Sequence, residues 1–451
     1  MQRVDVVPAL IGGRMPGIPP SFPVVRFTER RLANGLRVIV APDHLAPVVA
    51  INVWYDVGSK HEAPGRTGFA HLFEHLMFQG SRHVGKAEHL AIVQAAGGVV
   101  NGTTYFDRTN YFETLPSHRL ELGLWLEADR MATLLDAVTQ ENLDNQRDVV
   151  KNEKRQSYDN RPYGSFYERL LAAVMPSGHP YQHTPIGSMA DLDAASLEDV
   201  RSFFRTYYTP DNAVLAITGD VELEEGLTAA ATYFDPIPPG PGIPPLGDLS
   251  LPPHIGREVR ERIPDRVPFA RVHLGYRTPP FGTPAFDALE VATQIAAGGQ
   301  GSRLYRKLVR ELRIAQDVAL FLLPLVEGAS VLTGWATVRP ESDAATVEAV
   351  MCEELARLAA EPVTDDEMAR ARALIESEEL AALGRIEEVA DRLAMYATLF
   401  DRPGMINEQL ARYLAVDAAA ICRVVTEVVR PDNLAVLTYV PEVAGTREEA
   451  A

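Results

Sequence analysis

One stretch decides the fold of this chain: Gly68-Phe69-Ala70-His71-Leu72-Phe73-Glu74-His75-Leu76-Met77-Phe78-Gln79-Gly80. On a helix, residues three and four apart lie on one face, so His71, Glu74 and His75 point the same way. Two imidazoles one turn apart can share one metal ion, and catalytic zinc usually takes three protein ligands plus a water. The stretch therefore predicts a zinc-binding helix in which the carboxylate of Glu74 lies beside that water.

A site with two histidines needs a third protein ligand, and carboxylates suit zinc as well as imidazoles do. Glu153 is the best local candidate because it lies in a charged helix predicted over residues 139–159. Leu143 and Val150 form the inward face of that helix, and Gln146 precedes Glu153 by seven residues on nearly the same face. Spacing alone does not select Glu153 from the other carboxylates.

Composition narrows the partners that the protein can have. The 451 residues include 43 basic and 61 acidic side chains, which give a formal net charge of −18. Nucleic acids and anionic membranes require clustered Lys and Arg, so this balance argues against both. The two cysteines imply no disulfide framework.

The start of the chain carries no recognisable export signal. Residues 1–23 are broken by prolines and lack the uninterrupted apolar core of a signal peptide. No stretch of about 18 apolar residues occurs, which predicts no membrane span. We therefore expect a cytoplasmic protein, or a periplasmic one if a leader was removed.

The second half of the chain repeats motifs of the first half. Pro210-Asp211-Asn212 returns 221 residues later as Pro431-Asp432-Asn433, and an apolar run follows in both places. This period is too long for a solenoid and indicates a duplicated domain. Eight prolines between Pro236 and Pro253 favour an extended connector, so we place a linker over residues 236–258.

The metal-site residues also carry a resemblance to a known family. The motif His71-Leu72-Phe73-Glu74-His75, followed 78 residues later by Glu153, resembles the pitrilysin/insulinase family of zinc metallopeptidases. The similarity is to the half-length branch that includes mitochondrial processing peptidase and its bacterial relatives. It extends from about Val24 to Val440 and includes Gly97–Thr104, Tyr111–Pro116, His179–Tyr181 and Gly301–Tyr305.

The resemblance implies an α+β fold of two homologous domains, each a mainly antiparallel sheet packed with helices, as in LuxS-like metallohydrolases. The expected divisions are an irregular extension over residues 1–23, a catalytic zinc-binding domain over 24–235, the proline-rich linker, a degenerate repeat domain over 259–442 that closes a chamber, and an acidic tail over 443–451.

By this resemblance His71, His75 and Glu153 would bind one zinc ion per chain. Glu74 would be the general base, accepting a proton from the attacking water and delivering it to the leaving amine. A helix with ordinary surface histidines is the alternative interpretation.

The family resemblance also implies how a peptide is held. An extended substrate would add as a strand at Asn101, Gly102 and Thr103, where backbone hydrogen bonds give affinity with little sequence preference. Alternatively, Asn101-Gly102 is only a tight bend in a strand. Arg310 would contact the substrate from the second half of the chain, or else form a surface salt bridge.

Two positions depart from the pattern of the family. Many relatives carry a glutamate seven residues before the third ligand, where this chain has Gln146, which can hydrogen-bond but cannot act as an acid or base. Relatives complete the site with an Arg and a Tyr that lie seven residues apart in the C-terminal half. Arg310 is present in this chain, but the residue seven positions later is Asp317. A carboxylate does not replace a phenol as an oxyanion donor unless it is protonated.

The missing tyrosine bears on assembly. Because half-length relatives complete the active site across a subunit interface, we expect a dimer. It is either a heterodimer with a zinc-free homologous subunit that supplies Arg and Tyr, or a homodimer that uses Arg310 alone.

The resulting hypothesis is a zinc metalloendopeptidase that cleaves peptides or unfolded protein segments at a composite site. One alternative is a dedicated maturation protease that removes a leader peptide. Another is a non-catalytic peptide-binding subunit of such a complex, although the intact metal-site residues argue against it.

Overall fold

The computed structural model describes residues 22–442. The expected acidic tail and the extension up to residue 21 lie outside these described residues. The described chain forms two compact units. The first comprises residues up to Asn152 together with 183–247 and 378–411, and the second comprises 153–182, 248–377 and the chain from Arg412 onward.

The first unit contains a six-stranded sheet. Its strands are β1 Thr28–Arg31, β2 Arg37–Pro42, β3 Val48–Tyr55, β4 Val99–Thr104, β5 Thr109–Pro116 and β6 Ala213–Gly219. They follow the order β1-β2-β6-β3-β5-β4, and all neighbours are antiparallel except β2 and β6. Strand β4, which carries the expected peptide-binding residues, is therefore an edge strand of the described sheet.

The second unit contains a five-stranded sheet. Its strands are β7 Val259–Asp265, β8 Arg271–Thr278, β9 Ala315–Leu323, β10 Ser330–Val338 and β11 Leu434–Pro441. They follow the order β7-β11-β8-β10-β9, and only β7 and β11 run parallel. This order repeats that of β2-β6-β3-β5-β4, so the fold is α+β with two homologous domains.

The duplication extends to single hydrogen bonds. Asn212 precedes β6, and its side-chain amide donates to the carbonyl oxygens of Tyr207 at 2.8 Å and Asp56 at 3.2 Å. Asn433 precedes β11 and donates to the carbonyl oxygens of Val428 at 2.9 Å and Arg277 at 2.8 Å. Each partner pair is displaced by the same 221 residues. The repeated Pro-Asp-Asn motif thus has the same structural role in both sheets.

Fourteen α-helices are present in the described residues. They are α1 Phe69–Leu76, α2 Glu88–Ala95, α3 Leu120–Ala137, α4 Gln140–Lys154, α5 Phe166–Val174, α6 Met189–Ala194, α7 Leu197–Tyr207, α8 Leu223–Phe234, α9 Pro284–Ala297, α10 Ala344–Ala360, α11 Asp365–Leu383, α12 Ile386–Phe400, α13 Gln409–Leu414 and α14 Ala418–Val428. Two π-helices, Arg155–Asp159 and Tyr305–Glu311, also occur. Within residues 22–442, every helix is too short or too polar to cross a lipid bilayer.

The compact units are not contiguous in sequence. Helix α12, from the second half of the chain, covers the first sheet: Leu393 and Ala397 pack with Trp54 in one buried cluster. Helix α5, from the first half, covers the second sheet, where Leu170 lies so close to Gly275 that a Cβ there would be 2.3 Å from its Cδ1. The units therefore differ from the expected domains over 24–235 and 259–442 at residues 153–182 and 378–411. The expected linker region, 236–258, contains no helix or strand.

Candidate metal centre

The motif helix α1 begins at a glycine with a left-handed backbone. Gly68 has φ +89°, and a buried carboxylate from outside the helix satisfies the first amides. Glu62 accepts hydrogen bonds from the backbone N–H of Gly68 at 2.9 Å, from that of Ala70 at 2.7 Å and from Nε2 of His183 at 2.8 Å. Burial raises the pKa of the Glu62 carboxyl, and these hydrogen bonds oppose the shift. A negative charge at a helix N-terminus also stabilises the helix dipole. Neither motif spacing nor the family resemblance points to Glu62, and His183, a weaker candidate for a metal ligand in the sequence, instead contacts this carboxylate.

The structure brings the three predicted metal ligands together. One nitrogen from each of His71 and His75 and one carboxylate oxygen of Glu153 all lie within 4.8 Å of one another. The two imidazole rings, one helical turn apart, are 4.8 Å between centroids and nearly perpendicular. Two imidazoles and one carboxylate are a donor set that fits zinc with an open fourth position.

Helix α4 carries Glu153 and is anchored along most of its length in the first unit. Arg147 donates to the carbonyl oxygens of Leu192 at 2.8 Å and Ala195 at 2.7 Å, and Lys151 pairs with Asp193 at 2.8 Å. The helix is continuous to Lys154, so these contacts set the position of Glu153. Immediately afterwards the chain widens into the π-helix Arg155–Asp159.

Glu74 lies on the same helix face but has a different neighbour. Its Oε2 accepts a hydrogen bond of 2.6 Å from the hydroxyl of Thr104 at the end of β4. Gly102 permits this approach, because a Cβ there would lie 3.2 Å from Cγ of Glu74 and 3.0 Å from Cδ1 of Tyr111. The edge strand β4 and the motif helix α1 therefore pack directly against each other. The family resemblance includes Thr104 in the predicted edge, but its hydrogen bond to Glu74 does not follow from spacing.

The expected peptide-binding residues lie on a regular strand. Asn101, Gly102 and Thr103 pair in sequence with β5, so Asn101-Gly102 is not a tight bend. Thr103 donates from its hydroxyl to Oδ1 of Asn110 at 2.5 Å, and its carbonyl accepts from Arg108 at 2.8 Å. The backbone of β4 that faces away from β5 has no strand partner among the described residues.

A buried carboxylate from α12 supports strands β3 and β5, the second of which pairs with β4. Asp391 accepts hydrogen bonds from Nε1 of Trp54 at 2.8 Å, Nδ2 of Asn52 at 3.2 Å and Nδ2 of Asn110 at 3.0 Å. Burial raises the pKa of the Asp391 carboxyl, while the neighbouring Arg108 guanidinium opposes that shift. This support could not be inferred from spacing, because Asp391 lies far away in the chain.

Three other predicted residues have clear local surroundings. Gln146 is buried and donates to Oδ1 of Asn145 at 3.0 Å. Arg310 lies in the second unit, in the π-helix Tyr305–Glu311, and donates to Oε1 of Gln300 at 2.8 Å; it forms no salt bridge among the described residues. Its role towards the substrate stays a prediction.

Asp317 accepts hydrogen bonds from two β10 side chains, Trp335 Nε1 and Thr337 Oγ1, each at 3.0 Å.

A second group of possible ligands is fully buried. Atoms of His89, Glu113 and Glu127 lie within 4.8 Å of one another. Arg130 already pairs with Glu127, and its guanidinium lies 4.3 Å from the ring centroid of Tyr111. Burial raises the pKa of Glu113 to about 7 and lowers the pKa of His89 to about 3. Because the arginine supplies the positive charge here, the group is neutral when Glu113 holds its proton, and it needs no metal ion.

An H-x-x-E-H helix on a duplicated α+β fold is the mark of the inverzincin class of metallopeptidases. Comparison with models of protein families identifies the family within this class. The model described as "Insulinase (Peptidase family M16)" matches residues 37–184, which include all four predicted metal-site residues, and "Peptidase M16 inactive domain" matches residues 194–375. The chain belongs to the M16 peptidase family.

Individual relatives agree with this assignment. The zinc protease PqqE of Helicobacter pylori is 29% identical over 404 residues, 88% of each chain. The beta subunit of mitochondrial-processing peptidase from Blastocladiella emersonii is 27% identical over 260 residues, 57% of this chain and 54% of that subunit. The crystal structure of a protease from Helicobacter pylori has a TM-score of 0.86 at 27% identity, covering 93% of this chain and 100% of that one. The first of these relatives is named as a zinc protease, and the other two are named as a subunit of a processing peptidase and as a protease.

Proposed function

We propose that this chain is a zinc-dependent endopeptidase that cleaves peptides or unfolded protein segments. The observation that carries the proposal is the convergence of His71, His75 and Glu153 within 4.8 Å, with Glu74 on the same helix as the histidines. These three side chains would hold one zinc ion per chain. A bound zinc ion lowers the pKa of its water and polarises a carbonyl oxygen.

The remaining chemistry belongs to residues of the chain. Glu74 would take a proton from the attacking water on its carboxylate and deliver it to the amine that leaves. The Thr104 hydroxyl donates to Oε2 of Glu74 and so fixes the orientation of this carboxylate. The open backbone edge of β4 would pair with an extended peptide and bring its scissile bond towards Glu74.

Zinc content and peptide cleavage test this proposal together. We expect purified protein to contain one zinc per chain by elemental analysis and to cut a mixture of unfolded peptides. Glu74→Gln should keep its zinc but lose at least about 10²-fold in rate, because it cannot carry the proton. Glu225→Gln, an exposed carboxylate on α8, is the matched control and should cleave normally. Protein without zinc, or without cleavage in the presence of any co-purifying partner, would overturn the proposal.

We also propose that the active form is a dimer, and the two assemblies can be separated. Purification from the native source should reveal whether a second homologous chain with Arg and Tyr accompanies this one. Activity of the isolated chain would exclude an obligate heterodimer and favour a homodimer that uses Arg310. Mapping of cleaved sites would distinguish general peptide degradation from removal of one leader peptide. The cytoplasmic location expected from the sequence stays a prediction.

A further inference from the structure

The second unit contains a cavity of about 390 Å³ that begins at Glu153. Aromatic rings make up half of its lining residues, Tyr163 and Trp335 among them, and the lining also includes Arg161 and Arg271. Glu153 belongs both to this lining and to the group of predicted metal ligands. The cavity therefore adjoins the carboxylate that we assign to the metal, and nothing in the proposed function yet uses it.

The wall of this cavity has a strained and well-supported backbone. Tyr163 has φ +61°, a left-handed conformation that non-glycine residues rarely adopt. Its N–H donates to Oδ2 of Asp265 at 3.1 Å and its hydroxyl to the carbonyl of Phe269 at 2.9 Å. Gly164 follows, where a Cβ would lie only 1.8 Å from the carbonyl oxygen of Tyr158. Strained backbone that its surroundings hold in place is concentrated at binding sites.

The Arg271 guanidinium is held in a fixed position across three strands. It lies 3.9 Å from the ring centroid of Tyr163 and 5.6 Å from that of Trp335. Its Nε donates to the hydroxyl of Thr337 at 3.0 Å, and that hydroxyl donates in turn to Asp317 at 3.0 Å. Only Nε of this guanidinium is engaged in these contacts. Within residues 22–442 its two terminal nitrogens have no hydrogen-bond acceptor, so they can bind a ligand.

Neither guanidinium in the cavity has a carboxylate partner among the described residues. Asp317 reaches Trp335 and Thr337 but forms no salt bridge with Arg271, and Arg161 forms none either. Glu153 would give its charge to the metal. A planar guanidinium recognises a carboxylate through two parallel hydrogen bonds, and aromatic walls strengthen that attraction by excluding water.

His273 adds no charge of its own to the cavity. It is 2% exposed, stacks on Phe166 at 4.0 Å between ring centroids, and neither ring nitrogen has a hydrogen-bond partner in the described part of the chain. Burial lowers its pKa to about 3, so the ring is neutral. A neutral imidazole beside an arginine leaves the guanidinium as the charge that a ligand would meet.

We propose that this cavity is a substrate subsite that binds a carboxylate of the peptide, with Arg271 as the residue that recognises it. The carboxylate is either an acidic side chain close to the scissile bond or the free C-terminus of a short peptide. Asp317 acts as a positioning residue, because it holds the Thr337 hydroxyl that orients Arg271. This inference rests on the proposed endopeptidase function and specifies which peptides it prefers.

Binding of peptides to the Glu74→Gln variant tests the subsite without requiring cleavage. Four fluorescent peptides of one sequence are compared: Glu or Gln at one position, each with a free or an amidated C-terminus. The measurement is the dissociation constant by fluorescence anisotropy, together with kcat/KM for the wild type at several Glu positions. A charge-assisted hydrogen bond predicts about tenfold tighter binding of the carboxylate peptide. The Glu and free-terminus arms show which carboxylate is the ligand.

Arg271→Gln, made in the Glu74→Gln background, should abolish this preference while still binding the uncharged peptide. Arg262→Gln, an exposed arginine on β7 of the same unit, is the charge-matched control and should keep it. If Arg271→Gln does not fold by circular dichroism, Asp317→Asn replaces it and should weaken the preference. Equal binding of all four peptides, or a preference that survives Arg271→Gln, would overturn the subsite. Cleavage with no preference for a carboxylate peptide would leave the endopeptidase proposal standing and overturn only the subsite. A binding preference with no cleavage by the wild type would overturn only the endopeptidase proposal.

Discussion

At the scale of single residues, Glu62 shows how a site can depend on a side chain outside its motif. The three hydrogen bonds that it accepts join the start of the histidine helix to His183. We expect Glu62→Ala to lower the free energy of unfolding by about 1–3 kcal/mol, because it leaves buried amide donors unpaired. Chemical denaturation measures that loss, and zinc titration should show weaker binding. Glu225→Ala, an exposed residue, should change neither quantity. Unchanged zinc affinity in Glu62→Ala would show that the helix position does not depend on this carboxylate.

Glu113 should make stability depend on pH. Its pKa rises from the usual 4.5 to about 7 in the folded protein because the carboxyl is buried. Because the folded protein binds this proton more tightly than the unfolded chain, the protonated carboxyl adds to the free energy of unfolding. The contribution is complete below about pH 4.5 and is lost as the pH rises through 7. Glu113→Gln removes the titration, so its stability relative to wild type should increase between pH 4.5 and 8 by on the order of 3 kcal/mol.

Urea denaturation of both proteins across this range gives the comparison. His89, whose pKa is lowered to about 3, costs stability as the pH falls through 6.5, but it is present in both proteins. Taking the difference between them therefore isolates Glu113. A difference that does not change with pH would mean that Glu113 is ionised in the fold.

At the scale of elements, helix α12 comes from the second half of the chain but packs in the first unit, and a substitution in it tests that packing. Leu393 is fully buried against the first sheet, although it comes from the second half of the chain. Leu393→Ala should cost about 2–5 kcal/mol of unfolding free energy through lost burial and the cavity left behind. Leu380→Ala, on α11 at 50% exposure, is the matched control and should cost far less. Similar losses in both variants by chemical denaturation would contradict the assigned packing.

The sequence predicts local elements better than their packing. Alternating apolar residues over 25–27 predict a strand before the hairpin turn Ala33-Asn34-Gly35. The turn is present, with Gly35 at φ +94°, but the first strand lies at Thr28–Arg31. That strand is polar, so hydrophobic alternation could not locate it. The helix predicted over residues 139–159 ends at Lys154 and continues as a π-helix, a change of winding that periodicity does not reveal.

The candidate site divides in the same way. The position of the histidine pair follows from helical spacing, but Glu153 needed a family resemblance because many carboxylates have similar surroundings in sequence. Thr104 and Asp391 reach the site through sheet register and through a helix from the other half of the chain. Local patterns contain neither kind of information.

At the scale of the whole molecule, the interleaved chain predicts one cooperative unfolding transition. The chain passes between the compact units within α4 and α11, which are continuous helices, so neither unit can unfold without breaking an element of the other. Asn212 and Asn433 provide equivalent probes, since each holds the same turn in one sheet. Either Asn→Ala change should cost about 1–3 kcal/mol by leaving buried carbonyl groups unpaired. Calorimetry should show each variant shifting the same single transition, whereas two transitions, each moved by only one variant, would mean that the duplicated domains still fold independently.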